Sequence, residues 1–174
     1  MDTETTGLKV SDGHRIAEIS AIKVNRESLE PIGEPFQTYI NPQRAIDPNA
    51  SKINGLTEEF LADKPYFEDI VDKFLEFIGD DVIVAHNAPF DRSFLNSELE
   101  SAEKAPLKNR FIDTLSMACS AFPGEKVSLD ALCDRFGIDR AARTTHGALI
   151  DAQLLLEVYK NLVVQSKGAI ELRD

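Results

Sequence analysis

The chain has 174 residues, 43% hydrophobic and 7% aromatic with no Trp, which suffices for one compact domain with a buried core. Its net charge of −11 at pH 7 excludes a free-standing nucleic-acid binder that relies on its own basic surface, and leaves nucleic acid as a substrate only if metal ions or a partner protein supply positive charge. No charged-then-apolar leader opens the chain and no apolar run is long enough to span a bilayer, so a soluble cytoplasmic protein with no membrane partner is expected.

The chain opens with "MDTETTG", where Asp2 and Glu4 stand one residue apart. In an extended strand, residues i and i+2 share a face, so both carboxylates would converge on one point. Taken alone, such a pair is more often a solvated surface feature. "RIAEISAIKVN" (15–25) alternates as a strand, and "EPFQTYINP" (34–42) reads as a second strand antiparallel to it, joined through a turn-like segment. Residues 43–55 read as a polar connection and "GLTEEFL" (55–61) as a short helix. Over 67–78, Phe67, Ile70, Val71, Phe74, Leu75 and Ile78 recur at helical spacing and predict an amphipathic helix. "VIVAH" (82–86) is a short apolar strand, and "APFDRSFLNSELESA" (88–102) follows as a helix with Pro89 in its first turn. "RFIDT" (110–114) predicts a further strand. Helices are expected at 114–121, 128–136 and 147–165, the second with Ser128 as N-cap, Gly137 as its stop and Leu129, Leu132, Cys133 and Phe136 on one face. Cys119 and Cys133 both fall in apolar helical runs, which points to reduced core thiols rather than a disulfide. Strands first, then strand–helix alternation, is the pattern of a mixed α/β domain.

Two further stretches carry titratable groups at element boundaries. "AHNAPFD" (85–91) starts at a strand's exit and ends in a helix's first turn, where α/β proteins place ligands; it holds His86, Asn87 and Asp91. In "THGALIDAQLL" (145–155), His146 and Asp151 would point about 140° apart on one continuous helix, so they share a site only if His146 precedes the helix. His14 reads as a surface-loop histidine.

Together "DTETTG", "HNAPFD" and "HGALIDAQ" resemble, in order, the three motifs of the DEDDh 3′→5′ exonuclease family. "NGLTEEFL", "FPGEKVSLDALCDRFGID" and "RTTHGALIDAQLLLEVY" extend the resemblance over nearly the whole chain and look like the proofreading (epsilon) subunits of bacterial DNA polymerase III. The resemblance implies a ribonuclease H-like fold: a mixed five-stranded sheet flanked by helices, with an exonuclease domain over 1–165 and a short tail over 166–174. It implies two-metal hydrolysis with Mg²⁺ or Mn²⁺. Asp2, Glu4 and Asp151 would hold one ion, Asp2 would bind the second with Asp91, and His146 would be the general base. Substrate contacts carried over are the backbone around Thr5 and Thr6, Leu56 and Phe90 at the terminal base and sugar, Glu59 at the 3′ hydroxyl and Asn87 beside the phosphate path. For Leu56 and Phe90, ordinary core packing is an equal alternative. Implied partners are a single-stranded 3′ end of DNA and the catalytic and other core subunits of DNA polymerase III.

Two departures stand against the family pattern. Members carry an apolar strand ahead of "DTETTG", central in the sheet between 15–25 and 82–86, whereas only Met1 precedes Asp2 here. A truncated first strand, a gap in the sheet and a fraying Asp2 are therefore expected. The C-terminal "VVQSKGAIELRD" also gives no convincing clamp-binding motif. Alternative readings are a stand-alone nuclease of the same chemistry on short DNA or RNA, and a non-catalytic binding module of the same fold.

Overall fold

The computed structural model describes residues 1–141 and 143–171. Its organising element is β2 (Ile16–Ala21), buried at all six positions because strands flank it and helices cover both faces. β1 (Asp2–Thr5) and β3 (Phe36–Tyr39) each pair with it antiparallel, in the order β1-β2-β3. Register places Asp2 opposite Ser20 and Glu4 opposite Glu18, with an irregularity between Glu4 and Thr5. β4 (Ile83–Ala85) and β5 (Phe111–Asp113) form a separate parallel pair. Five strands are present among the described residues, as expected, but their hydrogen bonds form ladders of three and two. The break lies between β1 and β4. A hydrogen bond donated by the Met1 nitrogen to the Val84 carbonyl (2.7 Å) crosses it. Contrary to the expected fraying, Asp2 is held in the β2 ladder and Thr3, Glu4 and Thr5 are buried.

Helices form where the apolar spacing predicts them. α3 (Phe67–Ile78) matches its expected span and starts with a capping box, Asp69 Oδ2 accepting from the Tyr66 amide. α4 (Ala88–Ser101) runs from Asn87, whose φ of 68° is left-handed, a conformation Asn tolerates better than most residues. α5 (Thr114–Ala121) and α6 (Leu129–Phe136) also match their expected spans to within a residue, the latter capped by the Ser128 hydroxyl and stopped by Gly137 at φ 66°. α7 (Ala148–Glu171) runs past the expected end at 165. Residues 43–55 are not merely a connection: α1 (Pro48–Asn54) lies there, with Asp47 accepting from the Asn49 amide and Pro48 at N1. α2 (Glu58–Leu61) follows, capped by Thr57.

Two apolar layers enclose the sheet. One packs Phe67, Phe74, Phe94 and Leu95 against Ile16 and Ile19; the other joins α5, α6 and α7 through Ala118, Leu132, Cys133, Val158 and Leu162. Both cysteines are free, but only Cys133 is in the core; Cys119 is exposed on α5. No helix among the described residues is long and apolar enough to cross a membrane.

Candidate active site

β1 delivers two carboxylates to the α7 side of the sheet because alternate strand residues share a face. Glu4, 9% exposed, sits across from Glu18 on β2, itself 1% exposed. Glu18 Oε2 accepts from the amide of Ala148, the first residue of α7, at 3.0 Å, and Oε1 accepts from Gln37 Nε2 at 2.8 Å. A buried acid in mid-strand therefore ties down the N-terminus of the helix that carries Asp151. Its signal was legible as the one charge inside the apolar "IAEIS".

His146 does precede α7, as sharing a site with Asp151 requires. Its amide bonds the Ile53 carbonyl at the end of α1 (3.1 Å), and Gly55 abuts Thr145, so α1 braces this loop. Among the described residues, Glu4, His146 and Asp151 offer ligand atoms that all lie within 4.8 Å of one another. Asp151 is 4% exposed and the His146 side chain 44%. Asp2 and Asp91 stand beside this group rather than in it. Asp91, 3% exposed in the first turn of α4, accepts from Thr3 Oγ1 at 2.8 Å.

These acids do not tolerate one another's charge. Burial, then Asp91, Glu4 and Asp151, push the Asp2 carboxyl well above its usual range. Burial, then Asp151 and Glu18, push Glu4 up to about 8. Burial also raises Asp91 to about 6, against the opposing hydrogen bond from Thr3. Such frustration is relieved by a bound cation. Asp151 Oδ1 is moreover buried without a hydrogen-bond partner. A set of carboxylate oxygens gathered this closely fits a hard divalent ion.

Sequence reasoning did not anticipate Arg143. Its side chain, 6% exposed, reaches into the acidic group: Nη2 donates to Asp151 Oδ2 (2.7 Å) and contacts His146 Nδ1 (2.6 Å), Nε lies 2.6 Å from Asp151 Oδ1, and Nη1 pairs with Asp130. Guanidinium nitrogens only donate, so at this contact His146 Nδ1 accepts and the imidazole proton sits on Nε2.

The other expected positions fall as follows. Thr6 is fully buried, its amide bonded to the Arg15 carbonyl and its carbonyl accepting from the Asp47 amide. Thr5 donates its hydroxyl to the Gly7 carbonyl. Leu56 lies in a small core cluster with Ala17, Ile46 and Leu61. Glu59 and Asn87 are exposed, and Phe90 is half-buried with its ring 4.8 Å from that of Phe94. His86 turns toward α5 and meets Thr114 Oγ1 at 2.9 Å. His14 is not a free surface histidine: its ring packs over Gly7 and Nδ1 lies 3.1 Å from Thr6 Oγ1, fixing the turn after β1. Asp113 accepts from the amides of Asn87 and Ala88 and caps α5, so one carboxylate joins the starts of two helices.

Comparison with known proteins agrees with this architecture. A family model described as exonuclease (RNase_T) matches residues 1–159. The chain is 49% identical over 178 residues to the DNA polymerase III subunit epsilon of Rickettsia felis, covering 100% of this chain and 77% of that one. Exonuclease X in complex with 5′ overhanging duplex DNA superposes with a TM-score of 0.68 at 28% identity, covering 92% and 89% of the two chains. The nuclease domain of 3′hExo, a DEDDh family member bound to rAMP, superposes with a TM-score of 0.74 at 17% identity, covering 93% and 88%, a likeness of fold.

Proposed function

The chain belongs to the exonuclease family, among the relatives named DNA polymerase III subunit epsilon, and from that premise we propose that it removes mismatched 3′-terminal nucleotides from DNA by two-metal hydrolysis as a proofreading subunit. It is a nuclease with a ribonuclease H-like α/β fold. The observation that carries the mechanism is the convergence of Glu4, His146 and Asp151 within 4.8 Å at a buried, charge-frustrated point.

In this reading Asp2, Glu4 and Asp151 hold one divalent ion, and Asp2 with Asp91 holds the other, Mg²⁺ or Mn²⁺. Bound ions would supply positive charge that stabilises both the incoming and the leaving oxygen of an in-line displacement. Thr3 fixes the Asp91 carboxylate through its hydroxyl, and Glu18 aims the first turn of α7 and with it Asp151. His146 accepts the proton of the attacking water at Nδ1, its unprotonated ring nitrogen, which requires Arg143 Nη2 to leave that nitrogen. Its place ahead of the helix, 44% exposed, lets it reach solvent while its amide stays tied to α1. Exposed Asn87 and Glu59 and half-buried Phe90 offer phosphate, 3′-hydroxyl and stacking contacts; Leu56 supports the pocket from the core, and Thr5 and Thr6 shape the turn beneath the nucleotide. The strongly acidic surface suits DNA delivered by a polymerase rather than captured alone, which favours the catalytic and core subunits of DNA polymerase III as partners. A cytoplasmic location and an exonuclease domain over 1–165 complete the reading.

The test is hydrolysis of a 3′-mismatched primer with Mn²⁺ or Mg²⁺. Asp151→Asn should abolish turnover while the circular-dichroism spectrum stays that of the parent. Turnover at the parental rate would sink the assignment.

A further inference from the structure

We infer that Arg143 is a built-in counter-cation of the active site, competing with divalent metal for Asp151, covering His146, and withdrawing onto Asp130 when the site loads. This rests on the reading of Asp151 and its neighbours as metal ligands.

The geometry puts one cation where another is called for. Both oxygens of Asp151 face the guanidinium, Oδ2 at 2.7 Å from Nη2 and Oδ1 at 2.6 Å from Nε, and His146 Nδ1 is covered by Nη2 at 2.6 Å. Carboxylates take small divalent ions at about 2.0–2.1 Å. An ion at that distance from either oxygen would lie within a few ångströms of the guanidinium, among the Arg143 and Asp151 side chains, each 6% exposed. The two cations therefore cannot share Asp151 in this arrangement. The clamp is also imperfect. Nε and Oδ1, though close, are not aligned as a hydrogen bond, and each is buried without another partner. Only the Nη2–Oδ2 half of a two-bond fork is properly formed, which makes the contact easier to exchange than a full bidentate pair.

Asp130 supplies the exit. It sits on α6 with its side chain 46% exposed, already pairs with Arg143 Nη1, and lies 3.2 Å from Arg140 Nη1. When Asp151 is ceded, Arg143 keeps one carboxylate partner at the mouth of the site and remains charge-compensated. The device serves a chain crowded with acids: it keeps Asp151 neutralised between metal-binding events at the cost of metal affinity.

Mn²⁺ titration calorimetry on the full chain, with melting temperature as a fold check, tests this. Arg143→Gln should bind Mn²⁺ at least tenfold more tightly than the parent. Asp130→Asn should bind severalfold more weakly, because the displaced arginine has lost its acceptor, and this effect should vanish in the double variant. Parental or weaker affinity in a folded Arg143→Gln chain would overturn the inference. If Arg143→Gln does not fold, Asp130→Asn alone decides, with unchanged or tighter binding overturning it. Absence of Mn²⁺ binding by the parent and Arg143→Gln alike would overturn the metal reading itself. Binding by the parent that Asp151→Asn abolishes, but Arg143→Gln does not tighten, would overturn only the competition.

Discussion

Replacing Glu18 with Ala removes the acceptor that holds the start of α7. Ala148, whose amide it receives, is fully buried, so its N–H loses its side-chain acceptor inside the core. An orphaned buried donor costs about 1–3 kcal/mol. The other partner, Gln37, is exposed and rehydrates, so it adds little. For a domain of this size each kcal/mol lowers the melting temperature by roughly 2–4 °C, which gives a fall of about 2–12 °C. Glu18→Gln keeps a carbonyl for the Ala148 amide and should lose distinctly less. It also deletes one of the charges, after burial and Asp151, that lift the Glu4 carboxyl to about 8, so Glu4 should titrate lower. Thermal unfolding in EDTA at pH 7 reads the first effect, and carboxyl-resolved NMR titration the second. The reasoning fails if Glu18→Ala melts within about 1 °C of the parent. It fails equally if the Gln and Ala variants are destabilised alike.

Metal-free stability should fall as pH rises from about 4.5 to about 8: native Glu4, and Asp91 near about 6, keep protons that the unfolded chain releases at ordinary carboxylate pH, so the native state binds more protons across that window. Unfolding free energies from urea titrations in EDTA should decline by up to ~1.4 kcal/mol per pH unit for each titrating group, Mn²⁺ should flatten the slope, and a stability that climbs with pH would contradict the account. Gly7→Ala would set a Cβ 2.2 Å from His14 Cε1, forcing the imidazole off the turn after β1. A loss of about 1–3 kcal/mol is expected by chemical denaturation, and an unchanged midpoint would mean that the ring moves freely. Phe90→Ala should raise KM for a mismatched primer several-fold with little change in melting temperature; a large stability loss with KM unmoved would show that the ring only packs on Phe94.

Local patterns were decided by the sequence alone. α3 needs only apolar residues at helical spacing, and the ends of α6 need only Ser128 and Gly137, because capping and periodicity act within a few residues. α1 was equally local, announced by Asp47–Pro48, and is a signal missed rather than absent. The proposed catalytic residues were legible as three ordered motifs, and their spacing required His146 to precede its helix. Which side chains meet was decided elsewhere. Glu18 and Ala148 are 130 positions apart, and Thr3 and Asp91 are 88 apart. No local preference encodes such pairings; the first exists because α7 packs across β1 and β2, the second because the first turn of α4 lies against β1. Arg143 is the sharpest instance. In sequence it is one basic residue in a polar loop, and nothing about that loop distinguishes a solvated arginine from one sealed against Asp151. The choice is made by the acids the fold gathers there, whose mutual repulsion at low dielectric makes a buried cation favourable.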